Sequence, residues 1–191
     1  LAHVSNVNDV GALALLEGPD RSQVQFAEGY ARGRFAGDFD SIQGWVDRFA
    51  GHPVLQARLL QMSDDVESAW RLLAEHEPEV DSAYWSEFMP FGRGADFPFV
   101  NEAARKLILH GRVAMALDTL SMYATHQSDL DSDLIIQALK TLGTQEDPEA
   151  ARVSSYDISR LIQYLKEEGV DEEKIAGLEW KYLCLLYTSP S

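Results

Sequence analysis

Several clusters along the chain have residue types that could do chemistry. Asp129-x-Asp131-x-Asp133 carries the alternate carboxylates that open a calcium loop. Such a loop also needs glycine at its sixth position and glutamate at its twelfth, and Leu134 and Lys140 stand there. The triad better suits the start of a helix, where the dipole favours negative charge. His76-Glu77-Pro78-Glu79 shares only its first two letters with the zinc-peptidase motif. That motif needs a second histidine one turn along an unbroken helix; Val80 occupies the place and Pro78 interrupts the helix. Gly92-Arg93-Gly94 lacks the third glycine of a dinucleotide loop, with Phe97 in its place. Glu75 and Glu79 could form an acid–base pair, but glycosidase chemistry needs a cleft that makes the two carboxyls unequal. No catalytic residue, metal or cofactor is therefore expected.

The richest stretch is Tyr84–Phe99, with six aromatics in sixteen residues. Two readings are open. In one, Tyr84, Trp85, Phe91, Arg93 and Phe97 are contact residues for a protein or peptide partner, since aromatics and arginine carry most interface energy. In the other, the segment folds back and Phe91, Phe97 and Phe99 fill gaps between helices, as large aromatics usually do.

The elements that position these residues read as helices. Apolar residues at i, i+3, i+4, i+7 recur as Ile42/Trp45/Val46/Phe49, Val66/Ala69/Trp70/Leu73, Val100/Ala103/Ala104/Leu107 and Ile158/Leu161/Ile162/Leu165. No alternating run indicates a strand. The spacing predicts helices over 21–36, 39–50, 53–62, 65–76, 79–89, 99–110, 113–127, 131–143, 155–168 and 171–183, and a short one over 8–16. Ser63 or Asp64 suits the cap of the fourth of these, and Ser154-x-x-Asp157 forms a capping box. Gly111 suits the left-handed position that ends a helix. The acid-rich 144–154 reads as a surface loop. The expected fold is all-α: about ten helices in antiparallel pairs, stacked as an open, irregular α-solenoid, because the joints are short and most helices are apolar on more than one side.

The net charge of −15 bounds partners. Eight carboxylates face Arg71 alone between Asp64 and Glu87, a surface that repels phosphate backbones. Nucleic acid is not an expected partner. No apolar run reaches the roughly 18 residues of a membrane span, so no membrane role is expected. Cys184 is the only cysteine, which fits a cytoplasmic setting.

Two resemblances add to this reading. Ala103–Leu117, where Gly111 turns one apolar helix into the next, resembles a tetratricopeptide-like helix pair. Tyr84-Trp85, Ala116–Tyr123, Ser154–Ile158 and Leu178–Leu183 are similar to elements in helical-repeat (tetratricopeptide- or HEAT-like) arms of large uncharacterised bacterial proteins. The likeness implies an interaction or regulatory arm without catalytic activity of its own. The alternatives are an arm that regulates a nucleotide-hydrolysing domain, or a closed bundle with an acidic catalytic pocket using Glu75, Glu79 or Tyr84. The closing Cys184–Ser191 resembles the translation of a sequencing adapter. Residues 1–183 are therefore expected to be one helical-repeat domain, cut at both ends, and 184–191 a non-native tail.

Overall fold

The computed structural model describes residues 7–35, 37–90, 97–125, 129–142, 144, 147, 149 and 153–188, excepting the side chains of 7–8 and 183–188. Among these, regular structure is entirely helical. The helices are α1 (Val7–Ala14), α2 (Arg21–Phe35), α3 (Phe39–Arg48), α4 (Pro53–Gln61), α5 (Val66–Glu75), α6 (Pro78–Glu87), α7 (Val100–Leu109), α8 (Val113–Tyr123), α9 (Ser132–Thr141), α10 (Ser155–Glu167) and α11 (Glu172–Thr188). A 3-10 turn, Leu15–Glu17, follows α1. Every span expected from the spacing has its helix. The chain divides into two compact units, Leu1–Phe88 and Met89–Ser191.

In the first unit α4 is central, packing against α3, α5, α6 and the 3-10 turn. Neighbours on several sides explain why Leu55, Gln56, Ala57, Leu59 and Leu60 are all buried. Gln56 meets the demand of burial by donating from Nε2 to the Val46 carbonyl at 3.1 Å. Arg58 crosses the unit: it donates two 2.7 Å bonds to the Glu87 carboxylate and a third to the Leu16 carbonyl. Helix α5 is capped by Asp65, whose carboxylate accepts from Ser68 N at 3.0 Å. The cap thus lies one or two residues beyond Ser63 and Asp64. Ser63 Oγ accepts from Asp65 N instead, at 3.1 Å.

In the second unit α8 is central, against α7, α9 and α10. It is buried almost all round, from Val113 to Tyr123. Alanines at 114 and 116 leave room for close neighbours, and Thr119 turns its hydroxyl back to the Met115 carbonyl at 2.6 Å. Gly111 has φ +74°, and Arg112 N bonds the Leu107 carbonyl while Gly111 N bonds that of Ile108. That is the helix-ending glycine motif expected between α7 and α8.

Helix α10 has its capping box: Asp157 N donates to Ser154 Oγ at 3.2 Å, and Ser154 N to Asp157 Oδ2 at 3.1 Å. Asp157 also accepts from Ser121 Oγ of α8 at 2.9 Å, and Arg160 donates to the Ser121 carbonyl at 2.9 Å. Burial pushes the Asp157 carboxyl up, but the hydrogen bonds from Ser154 and Ser121, with Arg160 nearby, outweigh it and hold the carboxyl below 3.8. A depressed carboxyl contributes stability above its unfolded value and loses it as pH falls through the folded one. Asp157→Asn should therefore melt below the wild type at neutral pH. The gap should close as pH drops below about 4. Parallel melting curves at pH 7 and pH 3 check this, and an unchanged gap would contradict it.

Two joints in this unit are made by distant residues. Asp147 Oδ2 accepts from Ala114 N at 2.7 Å, capping α8, and Arg112 clasps the Glu149 carboxylate at 3.0 and 3.3 Å. The acids of 144–154 that the structure describes, Asp147 and Glu149, are thus tied to the start of α8 while part-exposed. At the other end Lys181 Nζ donates to the carbonyls of Leu139, Lys140 and Leu142, and Tyr182 Oη to that of Leu139. These two side chains of α11 close the C-terminal end of α9.

Candidate functional site

Of the described aromatics in the stretch, Tyr84, Trp85, Phe88 and Phe97 are core. Tyr84 is 0% exposed, Trp85 1% and Phe97 4%. In the first unit, Trp70 of α5 and Tyr84, Trp85 and Phe88 of the α6 end form one cluster. The Trp70 ring centroid lies 5.2 Å from Trp85 and 6.0 Å from Phe88, and Tyr84 stacks on Phe88 at 5.3 Å. Their polar atoms are satisfied inside it. Trp70 Nε1 donates to Tyr84 Oη at 2.9 Å, and Trp85 Nε1 to Asp81 Oδ1 at 3.1 Å. In the second unit Phe97 packs on Phe99 and Tyr123, at 5.8 and 6.2 Å. As placed, Tyr84, Trp85 and Phe97 offer a partner no surface. Phe91 and Arg93 lie outside the described residues.

The acid clusters are not gathered into a centre. Glu75 closes α5 and Glu79 lies in the first turn of α6, both exposed and on separate helices because Pro78 starts the second. Tyr84 is too deeply buried to serve them. Asp131 caps α9, accepting from Asp133 N and Leu134 N at 3.1 Å each, and pairs with Arg105. Among the described residues no group of three or more His, Cys, Asp or Glu could hold a metal. No helix among them is long and apolar enough to cross a membrane.

Among the described residues, an open surface lies on α10 and α11. A shallow trough of 660 Å³ runs between the C-terminal end of α10 and the first turns of α11, lined by Lys166, Val170, Asp171, Glu172, Ile175 and Glu179. Gly169, at φ +74°, makes the turn beneath it. Lys166 Nζ pairs with Glu179 at 2.8 Å. Asp171 caps α11, accepting from Glu173 N and Lys174 N. Helix α11 buries Ile175, Leu178 and Tyr182. Its other side carries Ala176, Gly177 and Trp180, all exposed. Ala176 is part of the trough wall, and Trp180, one turn farther, is 71% exposed.

Two other exposed aromatics are differently placed. Phe26 stacks on Tyr30, and Tyr156 lies under the Arg160 guanidinium. Trp180 is distinguished by standing beside two small residues and a trough. The sequence held a signal for it, since Trp180 falls off the Ile175/Leu178/Tyr182 stripe, but Leu178–Leu183 taken as one element hid the difference between its faces.

Comparison of the chain with protein-family models, with curated proteins and with solved structures gives no match.

Proposed function

We propose that this chain is a protein-interaction module of helical-repeat build, and that it works by docking a segment of another protein on α10 and α11. One observation carries the reading: a tryptophan left 71% exposed beside small residues and an open trough. Tryptophan is the residue most enriched among interface anchors, and leaving one in water forgoes the gain of burying it. The stacked arrangement belongs to the same proposal. It is supported by short helices in series, with joints such as Gly111 and Gly169 that turn one helix directly into the next.

The arrangement has its own measurement. A compact globule of 191 residues would have a radius of gyration of about 16 Å. An open array should exceed about 19 Å in small-angle scattering, and a value near the globular one would favour a closed bundle. Docking is tested by selecting peptides of unbiased composition on the immobilised full chain. Selected peptides should lose binding to Trp180→Ala; an empty selection, or peptides indifferent to position 180, would overturn the reading.

A further inference from the structure

We infer that the segment docked on α11 is a basic amphipathic helix of a partner protein. The inference rests on the docking reading above and adds the chemistry of the occupant.

The shape of the surface selects a helix. Ala176 and Gly177 lie side by side on the open side of α11, and neither glycine nor alanine keeps a neighbouring backbone at a distance. No atom stands within 4 Å of where a Cβ on Gly177 would lie, so the space above it is open. A helix laid there reaches close contact along that stripe, with Trp180 at one end to insert between its apolar side chains. The trough, lined by Ala176 with Val170 and Ile175, accepts a second row of side chains from the same helix.

The charge around this surface selects the sign of the partner. Asp171, Glu172 and Glu179 line the trough against Lys166, and the exposed Glu167, Glu168 and Glu173 are close to it in sequence against Lys174. Lys166 is already paired with Glu179. Glu168, Glu172 and Glu173 are exposed at the turn between α10 and α11. Lysine or arginine on the polar flank of the docked helix meets these carboxylates, and the last carbonyls of α10 add to the same field. An acidic helix would meet like charge over the whole rim.

The test uses two labelled synthetic helices with the same leucine face, one with lysine and one with glutamate on its polar face. Each is titrated by fluorescence anisotropy into the full chain. The basic helix should bind and the acidic one should not. Trp180→Ala should weaken the basic helix by about tenfold or more, as for an anchor residue. Glu172→Lys/Glu173→Lys should weaken it too and raise its dissociation rate less than it lowers its association rate. Both variants change exposed side chains, and an unaltered circular dichroism melt confirms that they fold. Equal binding of both helices, lost with Trp180→Ala, would overturn the charge selection and leave the docking face standing. Absence of binding, or binding indifferent to position 180, would overturn the inference; unbiased peptide selection then decides the docking reading separately.

Discussion

Trp85→Ala should lower the stability of the first unit by about 3–5 kcal/mol, the cost of deleting a large buried aromatic. The indole is 1% exposed and in contact with three other aromatic rings, Trp70, Tyr84 and Phe88. Its removal leaves a cavity bounded by rings that cannot easily collapse into it, because Trp70 and Tyr84 are held to each other by a 2.9 Å hydrogen bond. It also takes from Asp81 the indole donor. Against a total stability of roughly 5–15 kcal/mol for a domain, such a loss puts the fold at risk. Urea denaturation followed by tryptophan fluorescence measures it, and Trp85→Phe, which keeps a ring, should lose clearly less. A cost below about 1 kcal/mol would place the cluster at the margin of the core rather than in it.

Arg112→Met should cost about 2–4 kcal/mol, for an electrostatic reason. The side chains of Arg112 and Glu149 are 11% and 17% exposed, and the pair is bidentate. Methionine fills part of the space but leaves the carboxylate in a site shielded from water, and a stranded buried charge costs more than the pair contributes. The double variant Arg112→Met/Glu149→Met should therefore recover much of the loss. Urea unfolding followed by far-ultraviolet circular dichroism supplies the comparison. If the single variant loses less than about 1 kcal/mol, water reaches the pair well enough to screen it.

The helices were legible because each must bury one stripe, and that stripe is written at fixed spacing in its own residues. Helix α8 buries more than its own stripe. The stripe Val113/Leu117/Leu120/Ala124 marks one face, yet Met115, Ala116, Thr119 and Ser121 are buried too, because α7, α9 and α10 surround them. Whether a helix has one neighbour or three is not a property of that helix. The same limit governs Tyr84 and Trp85. Aromatic residues suit an interface and a core equally well, and only the position of α4 and α5 makes these core. Ser63, Asp64 and Asp65 are three adjacent capping residues, and the first turn of α5 chooses among them by where its free N–H groups point. The segment 144–154 reads only as an acid-rich surface loop because the partners of Asp147 and Glu149, Ala114 and Arg112, lie more than thirty residues away. Trp180 was more accessible to reasoning, since it stands outside its own helix's buried stripe.

Lys181 and Tyr182 have a consequence for the order in which the second unit is made. During synthesis α9 leaves the ribosome with its final carbonyls uncovered, and the groups that cover those of Leu139, Lys140 and Leu142 come about forty residues later. Until those residues emerge from the exit tunnel, α9 has a frayed end. Completion of this half of the molecule thus waits on the translation of α11, and a ribosome stalled before the codon for Lys181 would display a nascent chain with that end still open to water.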